Sequence, residues 1–315
     1  MIKSMTYAQA QVVDELHFNK GLSGRRIARI LGLPKSTVND FLARRRSSMD
    51  QAPQGPKVLI FDIETAPSIA YHWRRFKENI SQKQVIQEGF MLCWSAKWLG
   101  SEHIMSDSLH HHSDLIEPDN DKPVVRSLWR LLDQADVIVA HNGDNFDEPT
   151  LNARAMYHGL QPPHPSKQVD TLKIARNRFK FNSNSLDAIA QYLDIEEGKM
   201  SVDFGLWRRC MEGDLVAFDE MLEYNMRDVT VLEAVYLKMR AWDRRHPNLH
   251  MIAGESGMGC GVCGSKDVEP TDRFAHTNVS KFPTYRCNGC GAVLRTGQTA
   301  LTKEDRQNLL RNIAR

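Results

Sequence analysis

KVLIFDIET (57–65) decides how this chain is read. Val58 to Phe61 is a short apolar run of the kind that forms a buried strand. Asp62 and Glu64 alternate at its end, so both side chains project to one side of a sheet. Two further carboxylates join them by context: Asp147 in HNGDNFDEP (141–149) and Asp228 in YNMRD (224–228). Four carboxylates held together in low dielectric repel one another strongly. Such a cluster makes physical sense around divalent metal ions, which points to metal-dependent phosphoryl transfer.

Around these residues the middle of the chain has α/β character. MLCWSAKWLG (91–100) and the stretch near His103–Ser108 read as strands, and DVIVAHN (136–142) as a short apolar strand. Val124–Leu132 has helical spacing. DEPTLNARAMYHGL, NSLDAIAQYLDI and LVAFDEMLEYNMRDVTVLEAVYLKMRAW read as helices. Strands first and then mixed strand and helix suggest one mixed sheet covered by helices. Tyr224 and Asp228, four apart, share a helix face. Asp147 precedes a helix and has an alternative role as its cap. Asp144 is a rival ranked below it, and Asp170 reads as structural support or cleft lining.

FDIET, N-x-x-x-F-D (Asn142 to Asp147) and Y-x-x-x-D (Tyr224 to Asp228) resemble the three motifs of DEDD-type 3′→5′ exonucleases. The resemblance covers roughly Lys57–Trp242, and VDTLKIA near Asp170 and SLDAIAQYL near Leu186 echo it. The histidine subtype has His five residues before the last aspartate. This chain has Glu223 there, while Tyr224 matches the tyrosine subtype. The resemblance implies a ribonuclease H-like fold, a mixed five-stranded sheet flanked by helices. It also implies two-metal hydrolysis with two Mg²⁺ or Mn²⁺. Asp62 would bridge the ions, Glu64 and Asp228 would complete one, and Asp147 would support the other. Tyr224 would orient the attacking water, since free tyrosine is a weak base at neutral pH. Asn142 and Phe146 would line the nucleic-acid path, and the product would be a nucleoside 5′-monophosphate.

The charge distribution agrees with a polyanion substrate. Residues 1–50 carry nine Lys/Arg against four Asp/Glu, and residues 254–315 carry nine against six. With a net charge of +2 overall, the middle is left at −6. Basic ends suit a polyanion and an acidic centre suits metals. No apolar run is long enough to span a membrane and no signal-peptide pattern is present, so no membrane association is expected. The expected setting is the cytoplasm of a bacterium or a phage-infected cell.

GLSGRRIARILGLPKSTVNDFLARRR (21–46) reads as helix, tight turn, helix. Ser23 is a candidate cap, Ile27, Ala28 and Leu31 form an apolar stripe, and Gly32 suits the turn. Pro34 suits the next helix's first turn, with Val38, Phe41 and Leu42 facing inward. A preceding helix near Tyr7–Phe18 would complete a bundle. The unit resembles resolvase-like and homeodomain-like DNA-binding helix-turn-helix units. That resemblance would aim Lys35, Ser36, Thr37 and Asn39 at base edges and Arg44, Arg45 and Arg46 at phosphates. A small protein-binding bundle is the alternative.

Tyr71, Trp73 and Phe76 interleave with Arg74, Arg75 and Lys77. That pattern fits stacking on bases with cations on phosphates, Trp73 and Arg74 foremost, or else an amphipathic segment with its rings in a core. His110–His112 read as solvated, and Cys93 and Cys210 as core residues. Cys260-Gly-Val-Cys263-Gly and Cys287-Asn-Gly-Cys290-Gly are two like knuckles that aim four thiolates at one structural Zn²⁺, with a redox pair as the alternative. AVLRTG (292–297) reads as a short strand, so this unit resembles a zinc ribbon, and Thr302–Ala314 as a last helix.

The expected organisation is an all-α helix-turn-helix domain (1–46), a linker (47–56), a ribonuclease H-like exonuclease domain (57–245) and a small β zinc ribbon with a C-terminal helix (255–315), after a connector near His246–Gly259. DNA is the expected partner: single-stranded 3′ ends at the carboxylates and duplex at the helix pair, with a polymerase or repair protein as a candidate partner. An exoribonuclease, or a DNA-binding regulator with a non-catalytic nuclease fold, are the competing functions.

Overall fold

The computed structural model describes residues 9, 12, 13, 16, 17, 22–50, 55–74, 76–112, 119–195 and 202–310, with the backbone alone at 44–50. Two helices, α1 (Gly24–Leu31) and α2 (Lys35–Asp50), open the described part. Gly32 adopts φ +63° just past α1, a left-handed conformation that a side chain would make costly, and Leu33 N donates to Ala28 O at 3.0 Å. Ser23 occupies the N-cap position of α1, but its hydroxyl makes no capping bond. Ile27, Ala28, Val38, Leu42 and Val13 form a small buried core. Most of the helix expected near Tyr7–Phe18 lies outside the described residues. Helix α2 runs to Asp50, into the stretch read as linker. Ser47–Asp50 contain neither proline nor glycine, and the helix breakers come later, at Pro53, Gly55 and Pro56.

The central sheet has five strands in the order β5 (Ile104–Ser108), β4 (Met91–Trp98), β1 (Val58–Thr65), β6 (Val137–Ala140), β7 (Lys167–Asp170). Its first strand, β1 (Val58–Thr65), is buried through Phe61. A small pair, β2 (Ile69–Ala70) and β3 (Val85–Gln87), follows, and then β4 (Met91–Trp98) and β5 (Ile104–Ser108). β4 is antiparallel to both β1 and β5. After α3 (Lys122–Leu132) comes β6 (Val137–Ala140), parallel to β1. Helix α4 (Asp147–Tyr157) leads to β7 (Lys167–Asp170), parallel to β6. Helices α5 (Thr171–Arg178), α6 (Leu186–Tyr192), α7 (Phe204–Met211) and α8 (Leu215–Met239) complete the layer. This is the ribonuclease H-like α/β fold.

Buried ionic contacts fix the helices that carry the acidic residues. Asp121 is fully buried and accepts two bonds from Arg154 (2.8 and 2.6 Å), one from Met91 N (2.8 Å) and a contact from His158. It thereby ties α4, which begins at Asp147, to the start of β4. Lys97 pairs with Glu233, whose carboxylate also accepts Gly100 N at 2.8 Å, and ties α8 to the far end of β4. A buried pair of this kind chiefly penalises the loss of one partner.

The histidine triplet is not solvated as the sequence suggested. His112 is 3% exposed and contacts Asp107 at 3.0 Å, with His111 at 3.4 Å from the same carboxylate and Ser127 donating to it at 2.6 Å. Burial raises the Asp107 pKa, but hydrogen bonds from His111, His112 and Ser127 win and hold it well below the usual range. A run of three polar residues gave no sign of this, because the burial comes from tertiary packing and from Ser127 on α3, which completes the network around Asp107.

The connector also differs from expectation. It contains the short helix α9 (Leu249–Ile252), and Leu249 is buried in the core. Leu249 N donates to Gly261 O at 2.7 Å, and Tyr236 Oη lies 2.9 Å from His246 Nε2. Beyond it, β8 (Val268–Thr277), β9 (Ser280–Cys287) and β10 (Val293–Arg295) form an antiparallel sheet in the order β10-β9-β8. A last helix, α10 (Lys303–Asn308), is capped reciprocally by Thr302 and Asp305. It stops at Asn308, short of the expected Ala314, and residues 311–315 lie outside the described ones. No helix among the described residues is long and apolar enough to cross a membrane.

Candidate metal and nucleic-acid site

Val58, Ile60, Asp62 and Glu64 share one face of β1 by the period of two. The first two are buried and the last two half-buried, so the face turns from core to cleft where the carboxylates begin. Oxygens of Asp62, Glu64 and Asp228 all lie within 4.8 Å of one another. Asp147 is 1% exposed, and Ile63 N donates to it at 3.3 Å, which sets it directly behind Asp62. It is the first residue of α4, and its carboxylate also accepts from its own backbone N–H. Three of the four carboxylates that the sequence singled out therefore meet, and Asp147 lies near enough for its charge to act on Asp62 and Glu64.

The loop before Asp147 is held from below. Asn142 has φ +70°, and its N–H donates to Asp170 at 2.9 Å. Asp170 also caps α5 by accepting from Leu172 N (2.9 Å) and Lys173 N (3.3 Å), so it supports structure. Asp144 pairs with Lys173 and lies outside the cluster. Glu223 is exposed, and Tyr224 donates to Asp228.

Two residues were missed. Asn225 is fully buried on α8 and donates its amide to Asp62 at 2.7 Å, which fixes the orientation of that carboxylate. Its place inside the YNMRD motif, amid apolar helix residues, was the available signal. The Trp207 indole on α7 donates to Glu64, and its ring meets Tyr224 edge-on at 6.5 Å. FGLWRRCM carries no motif that would mark it.

The electrostatics follow from the crowding. Burial, then the charges of Asp147, Glu64 and Asp228, push Asp62 well above the usual carboxylate range. Burial, then Asp228 and Asp147, push Glu64 up to about 8. Burial raises Asp147 to about 7 and Asp228 to about 6. Such a donor set, all oxygen and mutually repelling without counter-charge, fits hard divalent cations such as Mg²⁺ or Mn²⁺.

In the unfolded chain these groups titrate near ~4, and in the fold at about 6 to 8, so without divalent ions the folded state binds more protons. Stability is then greatest below the unfolded pKa and falls as pH rises toward about 8. The melting temperature without divalent ions should drop by several degrees between roughly pH 5 and 8. Mg²⁺ should restore it, more at the alkaline end. Melting curves with and without Mg²⁺ check this, and a Mg²⁺ effect larger at acid pH would contradict it.

The remaining expected contacts are solvent-facing. Trp73 is 93% exposed, with Tyr71 and Phe76 also exposed, so these rings are not core residues. Their loop is pinned by Glu78, which accepts from Trp73 N (2.9 Å) and Arg74 N (2.5 Å). Phe146 is partly exposed at the cleft. Lys35, Ser36 and Asn39 are exposed and Thr37 half-buried on the first turns of α2. The side chains of Arg44, Arg45 and Arg46 fall outside the described residues.

The four knuckle cysteines also meet. Cys260 and Cys290 sulfurs are 3.6 Å apart, and those of Cys263 and Cys287 3.5 Å. A tetrahedron with arms of ~2.3 Å has edges of ~3.8 Å, so this spacing fits Zn²⁺, and it is far beyond a disulfide at ~2.05 Å. Gly264 and Gly291, each following the second cysteine of its knuckle, both sit at φ +78°, where a side chain would strain the turn. Cys93 and Cys210 are buried, as expected.

Comparison with known proteins agrees with the fold. A family model described as RNase_H superfamily matches residues 99–240. The chain is similar to a DNA polymerase of Methanocaldococcus jannaschii, 34% identical over 73 residues, which is 23% of this chain and 4% of that protein. It is also similar to a PolC-type DNA polymerase III of Ureaplasma parvum, 25% identical over 181 residues, covering 53% of this chain and 12% of that protein. The chain thus matches only a small part of either polymerase. Among solved structures, the family B DNA polymerase of the archaeon Pyrobaculum calidifontis aligns over 64% of this chain and 27% of its own, with a TM-score of 0.41 and 17% identity.

Proposed function

We propose that this protein is a metal-dependent 3′→5′ exonuclease of DNA that acts on single strands or frayed ends. The observation that carries the reading is the convergence of Asp62, Glu64 and Asp228, with Asp147 held against Ile63 N beside them and Tyr224 donating to Asp228. The relatives' DNA chemistry favours DNA over RNA.

Asp62, Glu64, Asp228 and Asp147 would hold the cations. Bound there, the cations would supply positive charge at the scissile phosphate and lower the pKa of an attacking water. Asn225 and Trp207 keep Asp62 and Glu64 oriented. Burial, then the charges of Asp228, Glu64 and Asp62, drives the Tyr224 phenol well above its ordinary pKa. Tyr224 therefore stays protonated: its single O–H is given to Asp228, and its oxygen is left to accept a hydrogen bond from the attacking water and so orient it, not to act as a base. Water adds to phosphorus, the bond to the 3′ oxygen breaks, and a nucleoside 5′-monophosphate leaves a strand with a new 3′ hydroxyl. Asn142 and Phe146 line the cleft, and Trp73 and Arg74 offer a ring and a cation to the incoming strand. The α1–α2 pair would grip duplex through Lys35, Ser36, Thr37 and Asn39, with Arg44, Arg45 and Arg46 on phosphates.

End-labelled single-stranded DNA and RNA, incubated side by side with and without Mg²⁺, test this. DNA should shorten from its 3′ end only with Mg²⁺. Faster loss of RNA would make the protein an exoribonuclease, and binding without cleavage of either would make it a regulator.

A further inference from the structure

Away from the carboxylates, four aromatic rings run in a file. Trp242 meets Phe179 edge-on at 5.6 Å, Phe179 stacks on Phe181 at 5.2 Å, and Phe181 meets Tyr192 at 5.1 Å. The two inner rings are half-buried and pack on the core. The two outer ones are open to solvent, Trp242 at 61% and Tyr192 at 74% exposure. The file is thus held rigid from behind and presents apolar faces in front. Isolated exposed rings are ordinary on a surface, but a contiguous file is not.

The surroundings of the file are basic. Among the described residues within three positions of one of these rings in sequence, Arg176, Lys180, Arg244 and Arg245 are exposed cations, and Asp194 and Asp243 are the carboxylates. Ring faces flanked by cations suit unpaired bases joined by phosphates, since a paired duplex hides the base faces. The file lies along the helix that carries Asp228. Helix α6, which ends at Tyr192, packs on α8, and Lys238 of α8 donates to Leu193 O, ten residues or ~15 Å of helical rise beyond Asp228.

We propose that Trp242, Phe179, Phe181 and Tyr192 form a stacking surface for the unpaired strand upstream of the 3′ end held at the carboxylates. This deepens the nuclease reading and rests on it. The site would tether a long strand between successive cleavages, whereas a strand too short to reach the file would gain nothing from it.

The test uses full-length protein in an Asp62→Asn background, so that bound strands stay intact. Affinities are measured for a labelled trinucleotide and for a strand several times longer. Replacing Tyr192 and Trp242 together by Ala should weaken the longer strand about tenfold or more and leave the trinucleotide unchanged. Tyr192→Phe with Trp242→Phe should restore affinity, which separates lost stacking from lost folding. Arg176→Gln and Arg244→Gln should each lower the slope of log affinity against log salt by about 0.7. Equal affinity of the Ala pair and its parent for the longer strand overturns the proposal, including the case in which the rings instead hold a protein. If the unsubstituted protein cleaves no strand while the Ala pair still loses affinity, the stacking surface stands and the nuclease reading falls.

Discussion

Replacing Asp62 with Asn should abolish turnover while making the metal-free protein more stable. Asp62 faces Asp147, Glu64 and Asp228, all of which disfavour its charge, and among the described residues Asn225 donates the side-chain bond that favours it. A neutral amide of the same shape relieves that repulsion, so the melting temperature without divalent ions should rise by a few degrees. The same change deletes the central member of the cation-binding set. Turnover of labelled single-stranded DNA in Mg²⁺ should then fall at least about a thousandfold, which is ~4 kcal/mol of barrier at ~1.4 kcal/mol per tenfold. The opposite signs separate a catalytic role from a structural one, because a merely structural carboxylate would lose stability and activity together. Turnover within tenfold of the unsubstituted protein would end the assignment of this cluster as the reaction centre.

Much of this centre was legible because its residues obey short-range rules. Asp62 and Glu64 announce themselves by alternation at the end of an apolar strand, and Tyr224 and Asp228 by their spacing on a helix. The strands β1, β4 and β6 showed as apolar runs, β5 as a candidate strand near His103–Ser108 without an apolar run, and α8 as a long periodic segment. Other features depend on partners far away in sequence. Trp207 reaches Glu64 only because α7 folds over the cleft, and nothing in FGLWRRCM specifies that target. The network of His112 is closed by Ser127 on α3, which donates to the Asp107 carboxylate that His112 contacts, and only the fold brings that distant hydroxyl in. The strand β7 is only four residues long and begins with Lys167 and Gln168, so it carries no alternation to read. Asp170 ends it and caps α5 at once, a double duty visible only in three dimensions. The exposure of Tyr71, Trp73 and Phe76 could not be settled by pattern, because an amphipathic segment and a stacking loop share the same interleaving.

Removing zinc should unfold the C-terminal module and leave the central domain folded. The module's buried core is Cys260, Val262, Cys287 and Ala292, so half of it is sulfur ligand. An apolar core that small cannot offset the entropy of ordering some sixty residues. Structural Zn²⁺ contributes roughly 10–16 kcal/mol in small zinc modules at neutral pH, which is enough to hold the fold. The central domain has separate cores built on β1, β4 and α8 and does not depend on the metal. Metal analysis should find one zinc per chain. A strong zinc chelator, or Cys287→Ser, should strip amide-exchange protection from β8, β9 and β10 while protection in β1 and α8 persists. Acid should favour release, since protons compete with the metal for the thiolates. The connection to the core runs through Leu249 N to Gly261 O, so α9 should lose protection together with the knuckles. Protection of β8–β10 that survives complete removal of zinc would show that four thiols, not a metal, hold these strands.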